Sequence, residues 1–368
     1  SFENERQKVE ISLVKSIEQN ERFDIGTNGE MKNITFGLFA AEEIVSASGT
    51  SIPANGLIEI VSLNEDGTAT IKTDLPYGRY YVQEIATDSH YKLSDAKYPI
   101  IFEYVGQDTA VVKIAVNDGK AIKNDLIYGS VSGKKVDEDG NALGGAMIGL
   151  FRTDDGEFTK ENALMTTTSA EDGSFSFENI PCGTWYVREI EQPTGFVLDD
   201  TIYPVTIGTD GQVVEIEIVN EYGRGNIHLT KVDSEYPDNK LTGAVFEVYK
   251  DSNNNSKLDE GDELLGTLTE KEIGEYGMND LFYGRYFVKE TKAPDGFVLD
   301  TDVYEVVIDT DGKTYDVENK AGVGFINEVM RGNLKIVKTS SDGKVKGFAF
   351  RITGANGYEI ILETDENG

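Results

Sequence analysis

Apolar residues occupy alternate positions in four short segments, which predicts four β-strands that each bury one face. The segments are residues 11–15, 131–135, 227–231 and 334–338. Each ends on a lysine, and the alternation places that lysine on the apolar face. Burying an unpaired ammonium group costs several kcal/mol. A lysine that recurs at this position therefore indicates a paired or reactive group inside the core.

Two more predicted strands accompany each of the first three lysine strands. One covers residues 35–39, 147–151 and 245–249, and the other carries an aromatic-Val-x-Glu sequence at residues 81–84, 186–189 and 287–290. A closing strand then ends on an asparagine eleven residues ahead of the next lysine, as Asn124 stands before Lys135. The three resulting sets are Lys15, Glu84 and Asn124; Lys135, Glu189 and Asn220; and Lys231, Glu290 and Asn327.

The spacing of these sets predicts tandem domains, since 368 residues exceed one ordinary core. Short valine- and tyrosine-rich runs between Asp-Gly turns predict β-sandwiches of about 100 residues each. We expect domains at residues 1–127, 128–222 and 223–330, and the truncated start of a fourth domain at residues 331–368. This last stretch lacks a glutamate motif and a closing asparagine. Lys338 is therefore expected to stay unbonded and its short segment to be poorly stabilised, and the sequence is expected to come from a longer protein.

Charge and composition narrow the function classes. The formal net charge is −32 and the isoelectric point is about 4.4, which argues against nucleic acid because phosphate binding needs clustered Lys and Arg. Cys182 is the single cysteine, so no disulfide can form within the chain, and we interpret it as a small turn residue. The sequence has no apolar stretch long enough to span a membrane and no signal-like start. Any anchoring segment is expected outside this piece.

The combined pattern resembles the Cna B-type (prealbumin-like, SpaA-like) domains of Gram-positive surface adhesins and pilins. The features that carry the resemblance are the strand lysine, the glutamate sequence, the Pro-x-Gly turns closed by Phe196 and Phe297, and the final asparagine. The resemblance covers nearly the whole chain. It implies an all-β fold of tandem immunoglobulin-like or prealbumin-like sandwiches arranged as an elongated rod. It also implies that the lysine and asparagine of each set join in an intramolecular isopeptide bond, with help from the glutamate.

The three residue types suit that chemistry. An amine attacks a carbonyl carbon only when it is neutral, and burial lowers the pKa of a lysine towards that state. Burial raises the pKa of a glutamate, so the pair can lie in the core as two neutral groups. We expect the protonated glutamate to hydrogen-bond the carboxamide oxygen and to pass protons to the departing ammonia. Because each bond forms once, the chain is not expected to be an enzyme.

A buried Lys–Glu salt bridge near a strand-ending asparagine is the plainer interpretation, and three repeats of the full set argue against it. The first unit supports the bond least, because residues 88–90 replace the Pro-x-Gly turn before Tyr91. In the third unit Asn319 competes with Asn327, but only Asn327 keeps the eleven-residue interval. Lys134, beside Lys135, is expected to point outward.

An acidic loop at residues 251–262 resembles a calcium-binding loop. Its proposed ligand positions are Asp251, Asn253, Asn255, Lys257, Asp259 and Asp262. Ser256 replaces the usual glycine and Asp262 the usual bidentate glutamate, so the alternative is a solvated hairpin loop with no cofactor. His90 and His228 occupy unrelated places in their units, which argues against a zinc site or a histidine triad. Trp185 is expected in the core.

Three function classes remain. The leading one is a structural stalk of a cell-wall-anchored adhesin, extracellular and monomeric, with peptidoglycan anchoring and any host matrix protein or glycan contacts made through other regions. The second is a pilin shaft subunit, for which neither a pilin-motif lysine nor a sorting signal is found. The third is a module that itself binds a host ligand. The sequence names no ligand, organism or total number of repeats.

Overall fold

The computed structural model describes residues 6–45, 49–354 and 357–368. These residues form β-strands, loops and short 3₁₀ turns such as Glu30–Asn33 and Val116–Gly119, and no α-helix occurs among them. The all-β class predicted from the sequence is confirmed. The chain divides into two compact units, residues 1–223 and 224–368. The first unit contains two sandwiches, and the second contains a third sandwich and a hairpin. The domain boundaries given above stay predictions.

Ten strands form the first sandwich. They are β1 (Lys8–Ile17), β2 (Thr35–Ala40), β3 (Ile44–Val45), β4 (Ser51–Ile52), β5 (Leu57–Ser62), β6 (Thr68–Ile71), β7 (Gly78–Ala86), β8 (Lys97–Phe102), β9 (Val111–Ala115) and β10 (Ile122–Asn124). One sheet centres on β1, which pairs antiparallel with β6 and parallel with β9 and β10. The other has the order β5-β2-β7-β8, and β3 and β4 form a small hairpin. The first and last strands of the sandwich are thus parallel neighbours.

The second sandwich repeats this plan with seven strands. They are β11 (Tyr128–Asp137), β12 (Met147–Phe151), β13 (Met165–Thr168), β14 (Ser174–Pro181), β15 (Gly183–Glu191), β16 (Tyr203–Ile207) and β17 (Val213–Asn220). Its sheets have the orders β14-β11-β17 and β13-β12-β15-β16. The closing strand β17 runs unbroken along β11 for eight residue pairs.

The third sandwich has nine strands. They are β18 (Arg224–Asp233), β19 (Val245–Lys250), β20 (Glu263–Thr267), β21 (Thr269–Glu272), β22 (Glu275–Phe282), β23 (Gly284–Lys292), β24 (Val303–Ile308), β25 (Thr314–Asp316) and β26 (Phe325–Asn327). One sheet has the order β21-β22-β18-β25 with β26 also on β18, and the other has the order β20-β19-β23-β24. As in the first sandwich, the closing strand is split in two.

Alternation along the opening strands places their apolar residues in the cores, as predicted. Ile11 and Leu13 of β1 share a core with Phe36 and Leu38 of β2, and none of the four is more than 2% exposed. Full burial of one such side chain stabilises the fold by about 1.5–3 kcal/mol. Lys134 is exposed, also as predicted.

The segment after residue 330 differs from the opening strand expected there. Residues 334–338 are not a strand, and the pairing in this segment is between β27 (Ala349–Thr353) and β28 (Glu359–Glu363). In the sandwiches an opening strand is held by a closing strand and a middle strand, and no described residue after 330 pairs with residues 334–338 in that way. Lys338 is half-buried and donates a hydrogen bond to the carbonyl of Thr339.

Inside the first compact unit, the two sandwiches share one apolar cluster. Phe23, Ile25, Tyr91 and Leu126 belong to the first sandwich and its linker, yet they pack into the core of the second. The ring of Phe23 meets Trp185 edge-on at a centroid distance of 4.7 Å. An excursion between β1 and β2 therefore joins the two sandwiches through buried contacts.

Candidate cross-linking site in each sandwich

Strand register brings the predicted lysine and asparagine together in all three sandwiches. Lys15 is paired with Ile122 in the parallel ladder, two residues before Asn124. Lys135 is likewise paired with Ile218 and Lys231 with Phe325. Residues two apart on a strand share a face, so each lysine and its asparagine lie side by side on the core face of one sheet.

The glutamate reaches this pair from the opposite sheet. Glu84, Glu189 and Glu290 lie on β7, β15 and β23. The ladder is interrupted immediately after each of them, so that Ile85, for example, has no partner between the pairs Phe36–Glu84 and Thr35–Ala86. The same shift follows the glutamate in the other two sandwiches. A bulge of this kind bends the strand and re-aims a side chain, which here points into the core.

In the first sandwich the side chain of Glu84 contacts those of both Lys15 and Asn124. Nζ of Lys15 lies 3.5 Å from Oε1 of Glu84. Nδ2 of Asn124 donates to Oε1 and Oε2 of Glu84 at 2.8 and 3.0 Å, and to Oγ1 of Thr87 at 2.9 Å. None of the three predicted residues is more than 3% exposed.

The second sandwich repeats the arrangement with the two glutamate oxygens divided between the partners. Oε1 of Glu189 faces Nζ of Lys135 at 3.8 Å, and Oε2 accepts from Nδ2 of Asn220 at 2.7 Å. Nζ of Lys135 also donates to the carbonyl of Ile218 at 3.2 Å. One carboxyl group therefore lies between the amine and the carboxamide nitrogen.

The third sandwich has the same contacts on the asparagine side. Nδ2 of Asn327 donates to Oε2 of Glu290 at 2.8 Å, and Nζ of Lys231 donates to the carbonyl of Phe325 at 3.0 Å. Nζ of Lys231 also lies 5.5 Å from the centroid of the Phe325 ring. Asn319, the predicted competitor, instead bonds Asp300 and the backbone of Ile326.

Burial shifts the ionisation of these groups in the direction that the chemistry needs. It lowers the pKa of Lys15 and Lys135, and it lowers the pKa of Lys231 to about 8. The facing glutamate opposes this shift in each case. Burial also raises the pKa of Glu189 and Glu290. In the second and third sandwiches both shifts favour a neutral amine and a protonated carboxyl.

The carboxamide oxygen differs from our expectation. The glutamate meets the nitrogen of the asparagine rather than its oxygen, and Oδ1 of Asn124, Asn220 and Asn327 has no hydrogen-bond partner among the described residues. In the second sandwich Nδ2 of Asn220 also donates to the carbonyl of Val197 at 2.5 Å, a partner that an oxygen could not use. Buried polar atoms are rarely left unpaired, so an exception that recurs at all three sites singles out the carboxamides as candidate reacting groups.

Sequence reasoning missed one contact that recurs at each site. The backbone N–H ten residues after the glutamate donates to its Oε2, from Ser94 at 3.0 Å, Asp199 at 2.8 Å and Asp300 at 2.9 Å. A backbone donor leaves no mark on residue type. Only the constant spacing from glutamate to loop could have indicated it.

The remaining predicted residues lie away from these sites. Trp185 is 6% exposed in the core of the second sandwich, as expected. Cys182 is half-buried before the turn glycine, and burial raises the pKa of its thiol, the opposite of an activated nucleophile. His90 contacts Asp88, and His228 contacts Asp316 and Glu275.

The acidic loop at residues 251–262 is held by its own side chains. Nδ2 of Asn253 and Nδ2 of Asn255 donate to the carboxylate of Asp259, and Oδ2 of Asp251 lies 3.4 Å from Nε of Arg285. Calcium takes oxygen ligands, whereas the two carboxamides here present nitrogen to Asp259. Across the described residues, no group of three or more His, Cys, Asp or Glu is arranged to hold a metal. Calcium binding at this loop stays a prediction.

Fold and site together define a class of protein: tandem prealbumin-like β-sandwiches, each with a buried set of Lys on the first strand, Asn on the last strand and Glu facing them from the other sheet. The chain belongs to the family of SpaA prealbumin-like fold domains, whose family model matches residues 19–120, 129–222 and 225–321. This membership makes the chain a structural protein rather than an enzyme.

Two named proteins are similar to this chain in sequence. The trypsin-resistant surface T6 protein of Streptococcus pyogenes is 31% identical over 170 residues, which cover 38% of this chain and 29% of that protein. Colossin-A of Dictyostelium discoideum is 23% identical over 370 residues, covering 88% of this chain and 3% of that protein. This chain therefore spans less than a third of either relative.

A solved structure shows the same fold. The TIE protein of Bacillus anthracis has a TM-score of 0.54 and 21% identity, over 88% of this chain and 51% of that one. Among the residues that the structure describes, no helix is long and apolar enough to cross a membrane.

Proposed function

We propose that this chain is a stalk segment of a cell-wall-anchored surface adhesin of a Gram-positive bacterium, in which each of the three sandwiches cross-links itself. The bonds join Lys15 to Asn124, Lys135 to Asn220 and Lys231 to Asn327. The observation that carries this proposal is the threefold recurrence of one buried set in one strand register. Membership of the SpaA family and the surface T6 relative support the location.

The contacts suggest how the second sandwich makes its bond. Lys135 passes a proton to Oε1 of Glu189, which leaves a neutral amine and a protonated carboxyl. The amine attacks Cγ of Asn220, and the proton gained by Glu189 passes to Nδ2, the atom it already contacts. The Cγ–Nδ2 bond breaks, ammonia leaves, and a Lys–Asn amide remains. The attacking nitrogen gives its remaining extra proton to Glu189, so the site ends with a neutral amide and a protonated carboxyl, and ammonia leaves as a neutral molecule.

This pathway replaces the expected hydrogen bond to the carboxamide oxygen. Because the glutamate contacts Nδ2, it carries a proton between the two nitrogens rather than donating a hydrogen bond to the developing oxyanion. Folding supplies the remaining advantage, because groups held together can react at effective molarities of about 10⁵ M or more.

The mechanical consequence supports a role as a stalk. Because the first and last strands of each sandwich are parallel neighbours, a bond between them carries tension across the sandwich without unfolding it. Only the junctions can lengthen, and eleven residues extend to at most about 40 Å, whereas an unbonded unit of roughly 100 residues could extend by about 350 Å. Unlike a disulfide, the amide survives reduction.

Peptide mapping tests the proposal. Digestion of the native protein should give three branched peptides that join each lysine to its asparagine, and Glu290→Ala should remove the Lys231–Asn327 peptide alone. Recovery of only linear peptides containing these lysines would overturn it. Detergent-resistant ladders from the native cell surface would instead indicate a pilin shaft, which also needs covalent bonds between subunits.

A further inference from the structure

A loop aspartate lies behind the glutamate in two of the three sandwiches. Asp199 and Asp300 provide the backbone N–H groups that hold Oε2 of Glu189 and Glu290. Their side chains have a separate set of partners. The hydroxyl of Tyr203 donates to Oδ2 of Asp199 at 2.7 Å, and an N–H two residues further along donates to Oδ1 at 3.0 Å.

The third sandwich repeats these contacts. The hydroxyl of Tyr304 donates to Oδ2 of Asp300 at 2.7 Å, and the N–H of Asp302 donates to Oδ1 at 2.9 Å. Nδ2 of Asn319 adds a third donor to the carboxylate at 2.8 Å. Each aspartate side chain therefore fixes the loop that aims its own N–H at the glutamate.

The first sandwich has a different residue at this position. Ser94 stands ten residues after Glu84 and Tyr98 four residues later, where the other sandwiches have Asp and Tyr. The N–H of Ser94 still donates to Glu84, and its hydroxyl oxygen accepts from the N–H of Ala96 at 3.3 Å. The serine keeps the turn but lacks the carboxylate and its charge.

We propose that Asp199 and Asp300 are positioning residues that hold the glutamate in its reacting orientation, so that the second and third sandwiches close their bonds faster than the first. This inference rests on the proposed cross-linking function. Reacting groups misplaced by about 1 Å can slow a reaction by about 100-fold.

Charge adds a second contribution. Burial has the largest effect on both groups, raising the pKa of Glu290 and lowering that of Lys231. The negative charge of Asp300 raises the pKa of Glu290, whereas its backbone N–H lowers that pKa more. The same charge raises the pKa of Lys231, as do the charges of Glu290 and Asp233. Removing the negative charge should therefore lower both pKa values. The pH profile of bond formation in the third sandwich should then move to lower pH, an effect that a purely structural role of Asp300 would not produce.

The test times each bond after synthesis of the full chain. Protein made in a short cell-free pulse is quenched in denaturant at intervals, and branched peptides are counted by mass spectrometry. In the unaltered chain, the Lys15–Asn124 bond should form last. Asp300→Ser should slow the third bond about tenfold and leave the other two unchanged as internal controls.

Further variants distinguish the positioning role of Asp300 from the effect of its negative charge. Asp302→Ser changes an exposed neighbour and should leave the rate of the third bond unchanged. Ser94→Asp should accelerate formation of the first bond, and this variant tests the proposal even if Asp300→Ser folds poorly. Asp300→Asn keeps a hydrogen-bonding side chain without the charge and should shift the pH profile. Unchanged rates and profiles in all of the Asp300 and Ser94 variants would overturn the positioning role while leaving the bonds intact. Absence of any bond in the unaltered chain would overturn the proposed function itself.

Discussion

Nζ of Lys135 lies 3.8 Å from Oε1 of Glu189, and both side chains are fully buried. Lys134, its neighbour in sequence, is exposed. Burial of a charged pair costs several kcal/mol per ion unless the geometry repays it. A reaction between Lys135 and Asn220 would remove this cost, because it leaves a neutral amide beside a protonated Glu189, whose pKa is raised by burial.

Substitution of these two adjacent lysines gives a matched comparison. Lys135→Ala should leave the second bond unmade and lower the free energy of unfolding, because the closed loop alone contributes about 4–5 kcal/mol in the chain-entropy model. Lys134→Ala should keep the bond and most of the stability. Intact mass and thermal denaturation measure both effects. Equal melting temperatures for the two variants would count against the bond.

The stability of an unbonded third sandwich should depend on pH. In Asn327→Ala the amine of Lys231 stays free, with a folded-state pKa of about 8 against an ordinary value of 10.5. The folded state then binds fewer protons than the unfolded state between these values, so stability is full above pH 10.5 and is lost as pH falls towards 8. Urea unfolding from pH 7.5 to 10.5 measures this trend.

The unaltered chain serves as the control for that trend. Its Lys231 is an amide after bond formation and cannot titrate, so the third sandwich should lack this rise of stability with pH. The same rise in both proteins would show that Lys231 remains a free amine.

The opening strands of the three sandwiches, and the meeting of each lysine with its glutamate and asparagine, could be predicted because they depend on the two-residue period of a strand and on threefold repetition. The strand predicted at residues 334–338 was wrong. The bulge after each glutamate could not be predicted, since it depends on strand register rather than on residue type. The joining excursion at Phe23 occurs only in the first sandwich, so no repeat marked it. The split of the closing strand could not be predicted either, because it depends on local backbone conformation. In the first sandwich Asn117 and Asp118 adopt the left-handed conformation between β9 and β10.

The shared cluster predicts that the first two sandwiches unfold together. Phe23→Ala removes the ring that packs on Trp185. The excursion then keeps Ile25 in the cluster, the bonds from Arg152 to the carbonyls of Phe23 and Arg22, and the ion pair of Arg152 with Asp24. Loss of a buried phenylalanine costs about 3–5 kcal/mol. Calorimetry of the 1–223 unit should therefore show one transition that separates into two in the variant.

Tyr104→Ala provides the control for this separation. Tyr104 is 59% exposed and lies in the first sandwich outside the shared cluster. Its loss should leave the single transition in place. Two transitions in the unaltered unit would mean that the shared cluster does not couple the sandwiches.

If residues 251–262 bind calcium, titration with Ca²⁺ should release heat and raise the melting temperature of the third sandwich. Binding would require the carboxamides of Asn253 and Asn255 to turn their oxygens inward. Asp259→Asn, at the centre of these contacts, should abolish both the heat and the rise in melting temperature. Mg²⁺ should release little heat, because it demands a tighter octahedral site. A titration with no heat would remove the calcium interpretation.

Intact mass of the purified chain tests the central claim most directly. Each Lys–Asn bond releases one ammonia, so the account predicts a mass below that of the plain sequence by three ammonia molecules, and by two in Lys135→Ala relative to its own sequence. A mass equal to the plain sequence would contradict it.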